Sequence, residues 1–110
     1  MIPNNPKVGW APLNTEAIWS VPASVGVYQI AGQDQIIVDI GYGGGRSLFG
    51  IRGEIMEWVG REGSWLFRYE VTTAYLSRFN ELALLYKANH GVLPREVENR
   101  GVLVRGYLQP

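Results

Sequence analysis

Tyr28, Asp39, Arg46, Arg52 and Glu81 are the residues of this chain whose types and spacing could do chemistry. Tyr28 stands early in one β-branched-rich run and Asp39 late in the next, with Arg46 and Arg52 just beyond. A hydroxyl, a carboxylate and guanidinium groups in that order are the raw material of a phosphate-directed site, because arginine's planar fork matches phosphate oxygens in a way lysine cannot copy. Glu81 lies in a long helical pattern, opposite its apolar stripe and among Ser77, Leu84, Leu85 and Ala88. Such an acid either pairs with an arginine or faces a cleft where a cation can sit.

The elements that must position these groups follow from the hydrophobic pattern. Two short apolar runs at 25–30 and 36–41 flank a polar turn at 31–35, the pattern of a hairpin. Both runs are apolar almost throughout, which predicts strands buried on both faces. Tyr28 and Asp39 then need partners in apolar surroundings. Leu48, Ile51, Ile55 and Val59 recur at helical spacing from Ser47, and Gly50 and Gly53 on that helix predict close approach by another backbone or by a ligand. After a turn at 60–63, residues 64–71 read as a strand with Trp65, Phe67, Tyr69 and Val71 on one face. A helix capped at Thr72 or Thr73 is predicted from about Ala74 to Asn89, closed by Gly91, with stripe Tyr75, Phe79, Leu82, Ala83 and Tyr86. A loop at 91–100 and a closing edge strand at 102–108 complete the order. Before the hairpin, residues 1–24 hold four prolines, with Trp10 and Trp19 expected to cover one side of the core and a short helix from Asn14 to Ser20.

Composition narrows the classes. The chain has 110 residues, of which 46% are hydrophobic, enough for one small domain with a single core. It has no cysteine and one histidine, which excludes a disulfide scaffold and any thiolate or His-rich zinc centre. No run reaches the ~18 apolar residues of a membrane span, and the N-terminus lacks signal-peptide character, so a cytoplasmic protein with no membrane partner is expected. The net charge is zero, so nucleic-acid binding would be local, weak, or supplied by a partner chain or self-association. The Gly43-Gly44-Gly45 run lacks the lysine and Ser/Thr of a P-loop. His90 reads as a helix C-terminal cap.

With the pieces in this order, the chain resembles the GIY-YIG nuclease superfamily. Gly26-Val27-Tyr28 looks like the first signature, and Asp39-Ile40-Gly41, ten residues on, stands in the place of the second, with Asp39 where the family has tyrosine. The arginine-bearing helix and the Glu81 helix follow, and the likeness covers 25–94. It implies an α/β domain around a three-stranded antiparallel sheet flanked by helices, with 1–24 packed on as an extension and 95–110 adding a loop and an edge strand. It further implies divalent-metal-dependent hydrolysis of DNA phosphodiesters. Tyr28, Asp39, Arg52 and Glu81 would be catalytic, Glu81 would hold Mg²⁺ or Mn²⁺, and Gly41, Tyr42 and Arg46 would contact DNA. Met56 stands where the family usually has histidine or tyrosine, and Asn99 is the candidate for its late asparagine. Asp39 in place of a phenol leads two ways. It either takes over water activation or a share of the metal, or the site is degraded and the domain is a catalytically inactive module that binds nucleic acid or protein.

Overall fold

The computed structural model describes residues 2–3 and 8–101. Their elements run β1 (Ala11–Pro12), α1 (Thr15–Trp19), β2 (Gly26–Gly32), β3 (Ile37–Gly43), α2 (Gly50–Met56), β4 (Trp65–Val71), α3 (Tyr75–His90) and α4 (Arg95–Arg100). The result is an α/β fold whose open antiparallel sheet has the order β1-β4-β2-β3. The sheet has four strands where three were expected, because Ala11 and Pro12 pair with Phe67 and Leu66. Pro12 is tolerated there because an edge strand spends only half its amide groups. The expected closing strand at 102–108 lies outside the described residues.

The central hairpin forms for the reason its sequence gives. Alternate side chains of β2 point to opposite faces, and both faces are covered. Tyr28 and Ile30 join Ile18, Val21, Ile51, Ile55, Trp58 and Phe67 on the side of α1 and α2. Val27 joins Ile37, Ile40, Phe79, Leu82 and Val97 on the side of α3 and α4. The turn is closed by Gly32 N–H donating to the Ile36 carbonyl at 3.1 Å, with Gln35 in the left-handed region at φ 65°.

The helices differ from their predicted shapes where local backbone geometry overrides periodicity. Asn14 caps α1 as expected, its side chain accepting from Ala17 N–H at 2.7 Å. Of the stripe predicted for α2, only Ile51 and Ile55 are buried. Leu48 is 76% exposed, since the helix starts two residues later behind a left-handed Phe49. Both helix glycines answer to backbone rather than to a ligand: a Cβ at Gly50 would overlap Ser24, and one at Gly53 would overlap the Leu48 carbonyl. Trp19 is not core, being 61% exposed, while Trp10 packs beside the α3 cluster. The region read as a loop at 91–100 contains α4. Pro94 precedes its first turn, Val97 is buried beneath it, and Gly101 closes it at φ 66°. No described helix is long and apolar enough to cross a membrane.

Candidate functional site

β3 is an edge strand of the sheet, and beside it the two helix layers leave a hollow of about 390 Å³. β2 and β3 supply Tyr28, Asp39, Gly41 and Tyr42 to its wall. α2 and the segments flanking it supply Ser47, Glu54, Glu57, Trp58 and Arg61, α3 supplies Phe79, and α4 supplies Arg100.

Strand register brings the first two residues together. Tyr28 pairs with Gly41 and Ile30 with Asp39, so Tyr28 and Asp39 share a face two positions apart on adjacent strands. The Tyr28 ring occupies the space a side chain at 41 would fill. Its side chain is almost wholly covered, 5% exposed, and its hydroxyl reaches the hollow without a hydrogen-bond partner among the described residues. Burial first, and then the neighbouring Asp39 charge, push the phenol far above its ordinary pKa, so it stays protonated at neutral pH.

Asp39 is 1% exposed, and its charge is met by Arg100 reaching over the strand edge. Arg100 Nη2 lies 2.9 Å from Asp39 Oδ1 and donates to the Ile40 carbonyl at 3.0 Å. The approach to Oδ1 is off the line of a directed hydrogen bond, so the two groups attract as charges and Oδ1 accepts no hydrogen bond among the described residues. Burial pushes the Asp39 carboxyl up against the opposing pull of Arg100 and of the Trp58 indole. Arg61 is committed as well: it pairs with Glu96 at 3.0 Å and lies 4.0 Å over the Trp58 ring. Glu54 and Glu57 have no such counter-ion. No ion pair to either is present among the described residues, and burial together with the Glu57 charge raises the Glu54 carboxyl, with Ser47 and, more weakly, the Arg100 charge opposing.

The other residues expected at this site lie elsewhere. Arg52 points away from it: Nε donates to the Val21 carbonyl at 2.7 Å, and the guanidinium sits 5.2 Å over Trp19 beside an apolar hollow with Phe49 and Met56. Arg46 is exposed and does not line the site. Glu81 is 67% exposed on the outer side of α3, with Arg78 3.9 Å away, and does not line it either. Of the expected set, Tyr28, Asp39, Gly41 and Tyr42 come together, and Arg46, Arg52 and Glu81 do not join them. Among the described residues no group of three or more histidines, aspartates or glutamates converges, at Glu81 or elsewhere, that could hold a metal ion.

Sequence reasoning missed Glu54, Glu57, Trp58 and Arg61, although a signal existed. They stand at i, i+3, i+4 and i+7, the spacing of a single helix face. Arg100 carried no comparable signal, since it meets Asp39 only through the fold.

The model of one protein family, described as a domain of unknown function (DUF7508), matches residues 6–89. No curated protein and no solved structure matches the chain.

Proposed function

We propose that this chain, which belongs to the DUF7508 family, is a non-catalytic binding domain of GIY-YIG-like architecture whose recognition site is the hollow around Tyr28 and Asp39. Support for the likeness lies in the two signatures on paired strands, with the third long strand against the first. The observation that carries the binding reading is the separation of the phosphate chemistry from the hollow. Arg52 and Glu81, the arginine and the metal carboxylate the resemblance supplies, face other surroundings.

The charges that remain argue the same way. Arg61 and Arg100 are each paired with a carboxylate, whereas Glu54 and Glu57 are not, so the hollow's uncommitted charge is negative and repels a phosphodiester. A general base is effective with a pKa near the working pH, and Tyr28 is displaced in the opposite direction. The partner is therefore a protein or a small molecule rather than a nucleic-acid backbone.

One observation favours a second reading. Glu54 and Glu57, one turn apart, share the hollow with Tyr28 and could hold Mg²⁺ or Mn²⁺ in place of Glu81, since Mg²⁺ is commonly held by one or two carboxylates and waters. The domain would then be an atypical DNA endonuclease. Incubation of supercoiled plasmid with the protein and MgCl₂ or MnCl₂ separates the two. The binding reading expects no nicking above a buffer control. Metal-dependent nicking that is lost in Tyr28→Phe and Glu54→Gln but kept in Glu81→Ala would replace it with the second.

A further inference from the structure

We infer that the hollow at the β3 edge receives an organic cation, a guanidinium or ammonium group on an aliphatic stem, between Glu54 and Glu57 on one side and the rings of Tyr42 and Phe79 on the other. The inference rests on the binding reading above and names its ligand class.

Three independent observations converge on that class. Charge comes first: with Arg100 paired to Asp39 and Arg61 paired to Glu96, Glu54 and Glu57 are the charged groups of the wall with no ion-pair partner among the described residues. Glu57 at the exposed rim disfavours the charge of the half-buried Glu54, and a cation between them removes that cost. The second observation is Tyr28, a side chain only 5% exposed whose neutral hydroxyl has no partner among the described residues and opens into the same space. A hydroxyl at the mouth of a covered side chain with no protein partner is an open hydrogen-bonding position, and a ligand N–H fills it with the phenol oxygen as acceptor. The third is the aromatic wall. Tyr42 is braced by Tyr75, with ring centroids 5.6 Å apart, and by the edge of Phe79 at 5.5 Å. Ring faces attract weakly hydrated cations. Guanidinium and alkylated ammonium ions are of that kind, while Mg²⁺ keeps its waters and gains little from a ring. A volume of about 390 Å³ is at the small end of ligand sites and has room for an arginine or lysine side chain or a short diamine.

A cationic group of this kind can arrive free in solution or on a partner protein's side chain, and the experiment uses both. Amide resonances of the ¹⁵N-labelled full chain are followed during titration with agmatine, with cadaverine, and with end-blocked tripeptides carrying one central arginine or lysine. MgCl₂ and inorganic phosphate are titrated separately. The inference expects saturable shifts confined to Gly41, Tyr42, Glu54, Glu57 and Trp58 with at least one of the organic cations. Agmatine or cadaverine acting alone marks a free ligand, and tripeptides acting more tightly mark a partner side chain. Glu54→Gln/Glu57→Gln should weaken that binding about tenfold or more, the effect of losing one well-placed charge contact. Tyr42→Leu should weaken it severalfold while leaving both acids in place. Retained dispersion in each variant's spectrum verifies folding, and the single Glu57→Gln exchange on the exposed rim serves if the double variant unfolds. Saturable shifts with phosphate or Mg²⁺ only, no shift with any organic cation, or binding unchanged in the folded variants would each overturn it. Plasmid nicking tests the binding reading separately, so an absence of nicking with an absence of cation binding defeats this inference alone.

Discussion

The ring of Tyr28 lies across the bare Cα of Gly41, its cross-strand partner. A Cβ built at 41 would stand 2.8 Å from Tyr28 Cε1 and closer still to Cζ and Oη. The glycine leaves the room in which the Tyr28 ring, at the margin of the α2 core, extends to the hollow. Gly41→Ala should therefore displace the ring and cost about 1–3 kcal/mol, the range for overpacking a filled site. Urea denaturation measures it, with Tyr28→Ala and the double variant completing a cycle. On a Tyr28→Ala background the same alanine should cost nothing further. An equal cost on both backgrounds would show that the ring is not what the glycine accommodates.

Arg52 and Glu81 should separate cleanly when each is replaced by alanine. Val21 is buried, and Arg52 Nε is the group donating to its carbonyl at 2.7 Å. Arg52→Ala should lower stability by about 1–3 kcal/mol, the cost of leaving a buried acceptor unpaired. Glu81 is mostly exposed, with one distant arginine, and Glu81→Ala should stay within about 0.5 kcal/mol of the parent. Thermal unfolding of both variants measures the difference. A Glu81 variant as damaged as the Arg52 one would mean that α3 presents that carboxylate to something the fold depends on.

Residues 25–43 were legible because their signals are local. Two almost wholly apolar runs separated by Gly, Gln and Asp mark a hairpin, and the hairpin's register brings Tyr28 beside Asp39. The partner of Asp39 was not legible, since Arg100 arrives from a helix read as a loop, and the pairing exists only once α4 packs Val97 against the sheet. The α2 face was misread for a different reason. With Ile51 and Ile55 against the core, Glu54 and Glu57 face the hollow and Arg52, beside Ile51, faces Trp19, and which flank of the helix borders a cleft depends on the strand edge it packs beside. Glu81 followed from composition: an acid flanked by leucines reads as sheltered, yet Leu85 is itself exposed and the surroundings are solvent.

Phe49 is held at φ 65° directly before α2, a left-handed conformation that costs a residue with a Cβ roughly 1–2 kcal/mol. Its ring is 63% exposed, so little packing offsets that strain. Asparagine tolerates the conformation far better. Phe49→Asn should raise stability by about 1 kcal/mol, visible as a higher melting temperature. A lower one would show that the exposed ring contributes more through its contacts with the Arg52 hollow than the backbone loses.

Asp39 should leave a signature in the pH dependence of stability, and its sign runs opposite to that of an ordinary ion pair. The groups facing it are Tyr28 from β2, the Trp58 indole from the end of α2, and Arg100 and Glu96 from α4. Burial outweighs the two that favour the anion, so the folded-state pKa stands above the unfolded value near 3.8. A carboxyl raised in this way binds its proton more tightly when folded. Its contribution to stability is complete below the unfolded pKa and is lost as pH rises through the folded one. Asp39→Asn removes that dependence. The difference in unfolding free energy, parent minus variant, should therefore increase as pH falls from neutrality through the carboxylate range, measured by urea titration at matched ionic strength. Arg100 loses its counter-ion in the variant, but its side chain is 41% exposed and can be hydrated, so the exchange should not unfold the protein at neutral pH. A difference that shrinks on acidification would mean that the Arg100 pair dominates and that Asp39 titrates below its unfolded value.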